Sequence, residues 1–92
     1  MEKARAHVVI DGKVQGVFYR AFVRDQALDF GLKGWVRNLG DGNVEAVFEG
    51  DKKIIEQAIK GCYIGPPGAR VSNIDVKWEP HGEEEKGFSV RY

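Results

Sequence analysis

The order in which two hydrophobic periodicities follow each other along the chain is the feature that most restricts its fold. Apolar residues at every second position predict a β-strand, and apolar residues three and four apart predict a helix that faces a core. Strand patterns cover residues 5–11, 33–38, 43–49 and 71–78, and a last strand carries Phe88, Val90 and Tyr92. Helical spacing predicts one helix with the stripe Phe22, Val23, Ala27 and Phe30, and a second with Ile55, Ala58, Ile59 and Cys62.

The order strand, helix, strand, strand, helix, strand, followed by a terminal strand, predicts a single α+β domain over residues 1–92. A chain of 92 residues is long enough for one domain and too short for two. Two split β-α-β units in succession are typical of the ferredoxin-like sandwich, an antiparallel sheet with two helices on one face. The two strands joined by a helix run parallel, so their carboxyl ends lie at one edge of the sheet. We therefore expect the loop after Asp11 to lie beside Asn38.

Residues typical of helix ends and turns separate these elements. Gly31 stands where a left-handed residue ends a helix, and Leu32 can supply the apolar contact that follows it. Asp51 can cap the second helix, which ends at either Gly61 or Gly65. The pair Asp-Gly at positions 41–42 predicts a hairpin turn between the second and third strands.

Charge and cysteine content exclude several classes of protein. Fourteen basic and fourteen acidic residues give a net charge of zero, which disfavours nucleic-acid binding because that binding needs a basic excess. The single cysteine, Cys62, can form neither an intramolecular disulfide nor a cysteine-rich zinc site. Residues 1–5 lack the apolar core of a signal peptide, and no apolar run approaches the ~20 residues of a membrane span. We therefore expect a cytoplasmic protein without a membrane or nucleic-acid partner.

The segment 12–20, Gly-Lys-Val-Gln-Gly-Val-Phe-Tyr-Arg, joins the first strand to the first helix and could bind an anion. A helix N-terminus presents unpaired N–H groups and a partial positive charge. Gly16 lets the backbone curl so that successive N–H groups converge, and the planar fork of Arg20 can make two hydrogen bonds to a phosphate. An ordinary strand-to-helix connection with a surface arginine is the alternative. The segment matches neither a Walker A nor a dinucleotide-binding motif.

Two long motifs resemble the signatures of the acylphosphatase family. Residues 12–20 resemble the first signature, and residues 34–46, Gly-Trp-Val-Arg-Asn-Leu-Gly-Asp-Gly-Asn-Val-Glu-Ala, resemble the second. The resemblance continues through Phe-Glu-Gly at 48–50 and Gly-Pro-Pro at 65–67, so it covers nearly the whole chain. The chain departs from the family pattern at Tyr19, where phenylalanine is more common. We expect that hydroxyl to lie beside Arg20.

The resemblance implies hydrolysis of small acyl phosphates, without cofactor or metal, to a carboxylate and inorganic phosphate. The family's catalytic residues match Arg20, which binds phosphate, and Asn38, which positions water. Its phosphate loop matches Gln15, Gly16, Val17, Phe18, Tyr19 and Arg20. The acyl phosphate and inorganic phosphate are the expected small-molecule partners, and a monomer is the expected state. The physiological acyl phosphate is not specified by any residue pattern.

Other readings of these residues compete with the enzymatic one. Asn38 could be a simple turn residue, since Asn is common at strand ends. Residues 86–92 partly resemble an RNA-binding motif, but that motif belongs on the third strand, which here carries two glutamates. A ligand-binding domain without activity is a further alternative, against which the intact Arg20 and Asn38 argue. We expect structural or solvated roles for His7, Asp11 and His81, a core role for Cys62, and a solvated loop at Glu83, Glu84 and Glu85.

Overall fold

The computed structural model describes residues 2–82 and 85–92, and its elements follow the predicted order. These elements are β1 (Lys3–Lys13), α1 (Tyr19–Asp29), β2 (Lys33–Asn38), β3 (Val44–Asp51), α2 (Lys52–Ile64), β4 (Arg70–Glu79) and β5 (Phe88–Arg91). The sheet has the strand order β4-β1-β3-β2-β5, and every pairing is antiparallel except that of β2 with β5. The two helices pack on the sheet, which confirms the predicted ferredoxin-like α+β fold.

β1 is longer than its pattern predicts, because Gly12 continues the strand instead of ending it. The pairing of β1 with β4 shifts register between Asp11 and Gly12 and then continues to Lys13. At Gly12 the backbone has φ 136°, and a Cβ would lie 2.1 Å from the carbonyl oxygen of Arg70. Only glycine permits this close approach of two strands. The glycine that resembles the start of a loop is therefore part of an irregular strand pairing.

The ends of both helices carry the predicted capping residues. Gly31 adopts φ 70°, its N–H donates to the carbonyl of Leu28, and the N–H of Leu32 donates to the carbonyl of Ala27. These two bonds form the Schellman arrangement that ends a helix. The Asp51 side chain accepts a 2.8 Å hydrogen bond from the N–H of Lys53 and so caps α2.

The end of α2 lies at Gly65, which decides between the two glycines that the sequence proposes. Gly65 adopts φ 65°, outside the helical region. Gly61 lies inside the helix instead, where a Cβ would meet the side-chain oxygen of Gln26 at 1.6 Å. The lack of a side chain at Gly61 therefore leaves room for the Gln26 side chain of α1 to lie against α2.

The buried side of α1 differs from the predicted stripe. Tyr19, Val23 and Ala27 are the buried residues of this helix, and Phe22 packs at the margin of the core. The predicted place of Phe30 in the stripe is wrong, because that residue follows the helix and is 37% exposed. Phe30 is the C-cap residue beyond the last helical turn, so its exposure follows from its place at the helix end and not from its angle around the axis. In α2 the buried Ile55, Ala58 and Cys62 confirm the predicted stripe and the core role of the cysteine.

The sheet face opposite the core carries paired charges. Nε2 of His7 lies 2.6 Å from a carboxylate oxygen of Glu45, which agrees with a structural role for this histidine. Burial by itself would raise the pKa of Glu45, but His7 and Arg37 outweigh that effect and lower it.

The predicted solvated loop at 83–85 is wrong for Glu85. The N–H of Glu85 donates to the buried carboxylate of Glu49 at 3.2 Å, and its own carboxylate lies 3.6 Å from Arg5. Glu49 also accepts a hydrogen bond from the N–H of Gly82 and pairs with Arg5 at 3.2 Å. Glu85 thus takes part in a charge cluster that single-residue patterns cannot reveal. Residues 83 and 84 lie outside the described part of the chain.

Candidate active site

A cavity of about 320 Å³ opens where the loop after β1, the N-terminus of α1 and the end of β2 meet. The loop contributes Val14, Gly16 and Phe18 to its lining. The helix contributes Tyr19, Arg20, Ala21 and Arg24, and the strand side contributes Asn38, Val90 and Tyr92. The expected proximity of the loop after β1 to Asn38 is therefore confirmed.

The backbone before and within the first turn of α1 leaves its N–H groups unpaired. Gly16 and Phe18 adopt left-handed conformations, with φ 75° and 60°. Phe18 occupies the N-cap position without a capping side chain. The first backbone hydrogen bond of the helix runs from the N–H of Phe22 to the carbonyl of Phe18. Within the described ranges, no protein acceptor pairs with the N–H groups of residues 16–21. Such a series of free donors at a helix N-terminus favours a bound anion.

The left-handed conformation of Phe18 is unusual for a residue with a side chain. It costs on the order of 1–3 kcal/mol, and such strain is concentrated at functional sites. The ring of Phe18 gains little by burial, because the residue is 86% exposed. Strain without a gain in packing is consistent with a loop shaped for a ligand.

Arg20 stands in the first turn of α1 and faces the cavity with its charge uncompensated. In residues 2–82 and 85–92 no carboxylate forms an ion pair with it. Its guanidinium carbon lies 4.8 Å from the centre of the Tyr92 ring. This stacking holds the side chain without consuming its charge, which leaves the hydrogen-bonding fork for an anion.

Asn38 ends β2, and its amide oxygen Oδ1 is buried with no hydrogen-bond partner among the described residues. Turn chemistry is found nearby at Asp41, whose carboxylate accepts a 3.0 Å hydrogen bond from the backbone N–H of Asn43. A buried amide oxygen without a partner costs about 1–3 kcal/mol. Its presence beside the cavity is explained if a ligand or a water supplies the missing donor.

Side chains of the predicted phosphate loop divide between the site and the scaffold. Nε2 of Gln15 donates to the carbonyls of Leu39 and Asn43, both at 2.9 Å, and so joins the loop to the β2–β3 turn. The side chain of Val17 packs against the hydrophobic core. Neither residue lines the cavity, so what these positions offer to a ligand is backbone N–H groups rather than side chains.

The expected position of the Tyr19 hydroxyl beside Arg20 is wrong. The residue is 1% exposed, and its hydroxyl donates a 2.6 Å hydrogen bond to the carbonyl of Cys62 in α2. Burial, together with Cys62, raises the pKa of Tyr19 far above its ordinary value. Four residues beyond Cys62 stands Pro66, which has no N–H to offer that carbonyl. Tyr19 therefore completes the end of α2 and does not enter the phosphate site with its side chain.

Arg24 and Tyr92 line the cavity, although the motifs do not mark either residue. For Arg24 the spacing of four residues from Arg20 was an available signal, because such residues share a helix face. For Tyr92 the alternation of the last strand predicted the sheet face on which the side chain lies, but not which strand lies beside it. Only the parallel pairing of β5 with β2, which aligns Arg91 with Arg37, brings Tyr92 beside Asn38.

Two further features bear on cofactors and membranes. The described residues contain no group of three or more His, Cys, Asp or Glu side chains that could hold a metal ion. No helix in residues 2–82 and 85–92 is long and apolar enough to cross a membrane. Burial raises the pKa of Cys62 to about 12, and the hydrogen bond from Nε2 of Gln26 to its sulfur opposes this only weakly, so the thiol stays protonated.

Comparisons of the sequence and of the fold both find similarity to acylphosphatases. A sequence model of the acylphosphatase family matches residues 6–90. An acylphosphatase of Pelotomaculum thermopropionicum is 51% identical over 92 residues, which cover the whole of both chains. One from Roseiflexus is 53% identical over 90 residues, 98% of this chain and 97% of the relative. The crystal structure of a Bacillus subtilis acylphosphatase aligns with a TM-score of 0.94 at 34% identity, over 97% of this chain and 99% of that one.

Proposed function

The chain belongs to the acylphosphatase family and has the function of an acylphosphatase hydrolase, and we propose that the cavity beside the N-terminus of α1 is its active site. The observation that carries the proposal is the cavity's lining: Arg20, Asn38 and a loop with unpaired N–H groups converge there. Arg20 and Asn38 are the catalytic residues in this proposal. Gln15, Gly16, Val17, Phe18, Tyr19 and Arg20 form its phosphate-binding loop.

The phosphoryl group of the substrate binds where the free N–H groups of residues 16–21 converge. The positive end of the α1 dipole and these donors stabilise its charge. The fork of Arg20 adds two parallel hydrogen bonds, which strengthen as charge develops on the phosphoryl oxygens. Because phosphoryl transfer is a loose process, positioning and charge stabilisation supply most of the catalysis.

Asn38 holds the attacking water. Its unpartnered Oδ1 accepts a hydrogen bond from that water and orients the water's lone pair toward phosphorus. The new P–O bond forms as the bond to the carboxylate oxygen breaks, and a phosphoryl oxygen takes the water's proton. The departing carboxylate has a pKa of about 4 and needs no general acid. The reaction therefore requires no histidine or serine nucleophile.

The remaining parts of the proposal concern partners. We expect a small acyl phosphate as substrate, inorganic phosphate as product, no metal or cofactor, and a monomer in the cytoplasm. Glu45 and Glu49 lie in the middle of the helix-free sheet face, on the third strand. Because these carboxylates occupy the position where an RNA-binding domain of this fold needs stacking aromatics, nucleic acid is not an expected ligand.

Hydrolysis of benzoyl phosphate in excess chelator tests the proposal. We expect turnover at the rate seen without chelator, and competitive inhibition by inorganic phosphate. A rate that collapses in chelator and returns with a divalent metal would contradict the metal-independent mechanism. Binding of phosphate without any turnover would instead favour the ligand-binding alternative.

A further inference from the structure

The proposed active site is larger than the reacting groups require. Its volume of about 320 Å³ corresponds to roughly ten water molecules. One phosphoryl group and one attacking water fill only part of this space. The rest of the cavity is available to the acyl group, and its lining therefore bears on which acyl phosphate the enzyme prefers.

A second arginine lines this additional space. Arg24 follows Arg20 by four residues on α1, so both side chains lie on the same helix face, about 6 Å apart along the axis. The phosphoryl group binds at the helix N-terminus, so Arg24 stands on the side away from it. No Asp or Glu is found among the described residues that line the cavity.

The guanidinium of Arg24 has hydrogen-bonding groups to spare. Its Nε donates to the Asp25 carboxylate at 3.0 Å, and within the described residues neither Nη group has a hydrogen-bond or ion-pair partner. The side chain is 41% exposed, so an incoming ligand can reach it. Because Asp25 is itself 65% exposed and engages one edge only, the other edge of the fork stays available.

We propose that Arg24 binds an anionic group on the acyl part of the substrate, so that the enzyme favours acyl phosphates with a second negative charge. This inference rests on the proposed function, in which Arg20 and the loop hold the phosphoryl group. Val90 and Tyr92 line the cavity on the strand side and offer apolar surface to the carbon skeleton between the two charges. Arg24 acts as a specificity-determining residue and takes no part in bond breaking.

A matched pair of substrates isolates the charge of the acyl group. 3-Carboxybenzoyl phosphate and 3-carbamoylbenzoyl phosphate have nearly the same size and differ by one negative charge. The measured quantity is the ratio of their kcat/KM values, after division by the uncatalysed hydrolysis rate of each compound. We expect a ratio above one for the parent enzyme, decreasing as salt is added, because an exposed ion pair is screened.

Arg24→Gln should lower the ratio of the two kcat/KM values about three- to tenfold, as expected when an exposed ion pair with two parallel hydrogen bonds is lost. Asp25→Asn should raise it, because it frees Nε and removes a competing carboxylate. Lys60→Gln is the matched control, since it removes one positive charge from an exposed position of α2 and should leave the ratio unchanged. Thermal melts verify that each variant is folded.

The outcomes separate this inference from the proposed function. An unchanged ratio in an active Arg24→Gln enzyme would overturn the inference and leave the proposed function intact. An equal loss on both substrates would also overturn it, because Arg24 would then act on the shared phosphoryl group or on the fold. Absence of hydrolysis of either substrate by the parent protein would instead refute the proposed function itself.

Discussion

Replacing Asn38 with alanine separates a catalytic role of this side chain from a structural one. If Asn38 orients the attacking water, its loss is a loss in the transition state, and kcat should fall about 10²–10³-fold. The inhibition constant of inorganic phosphate should change little, because phosphate is held by the loop and Arg20. Asn38→Asp keeps the size but brings a negative charge to the cavity, so it should weaken phosphate binding as well.

The effect on stability can be worked from the burial of the same atom. Oδ1 of Asn38 is buried without a partner among the described residues, which costs the fold about 1–3 kcal/mol. Alanine removes that cost and forfeits about 0.8 kcal/mol for each methylene-sized group no longer buried. The free energy of unfolding of Asn38→Ala should therefore equal that of the parent or exceed it by up to about 2 kcal/mol. In a domain of this size, each kcal/mol changes Tm by roughly 4–8 °C.

The assay combines benzoyl phosphate kinetics, phosphate inhibition and thermal melts on the parent and on Asn38→Ala, Asn38→Asp and Asn43→Ala. Asn43 is the matched control, because its Nδ2 donates to Asp41 of the turn at 3.4 Å, and its variant should keep kcat while the backbone bond from its N–H to Asp41 remains. The reasoning is refuted if Asn38→Ala melts several degrees below the parent and retains a normal kcat. Asn38 would then be a turn residue, and the water would be held elsewhere.

Substitutions at three further positions test the remaining assignments. Arg20→Ala should lower kcat/KM by at least 10²–10³-fold and weaken phosphate inhibition, with little change in Tm. Arg20→Lys should recover little of this activity, because a point charge lacks the planar fork. Near-normal turnover of Arg20→Ala would exclude a catalytic role for Arg20. Tyr19→Phe should leave kcat unchanged. It should lower the free energy of unfolding, followed by thermal melts, by about 1–2 kcal/mol, because the Cys62 carbonyl loses its hydrogen-bond donor. An equal Tm would show that this hydrogen bond contributes nothing. Burial would raise the pKa of Glu49, but hydrogen bonds from Gly82 and Glu85 and the charge of Arg5 lower it below 4.5. The Tm advantage of the parent over Glu49→Gln should therefore be full at pH 7 and vanish as the pH falls through that lowered pKa. An advantage that persists or grows in acid would contradict this assignment.

Much of the fold was predictable because strand and helix periodicities are local properties. The bounds of β2 agree with the prediction at both ends, and the caps at Asp51 and Gly31 lie where their side-chain chemistry requires them. The end of α2 could not be chosen from the chain alone, since Gly61 and Gly65 have the same conformational freedom. The close contact of Gly61 with Gln26 of the other helix makes the distinction, and that contact exists only after the helices pack.

The candidate site likewise divides into features that the sequence predicted and features that only packing decided. Two sequence motifs carried the prediction that Arg20 and Asn38 act together, and the topology argument brought them to one edge of the sheet. The directions of individual side chains were beyond reach. Tyr19 turns into the core because a carbonyl of α2 needs a donor there, and Gln15 turns away from the cavity to join the β2–β3 turn.

What the sequence by itself determined is therefore the order of elements, the family and the two residues at the centre of the proposed chemistry. These depend on periodicity and on side-chain types at short spacing, which every segment carries before it folds. The tertiary structure alone decided the burial of Tyr19, the charge cluster of Glu49 and Glu85, and the meeting of Arg24 and Tyr92 at the cavity. Each of these features depends on groups that folding brings together from distant parts of the chain. An unpaired buried polar atom or charge is costly there, so the nearest available partner determines the direction of a side chain.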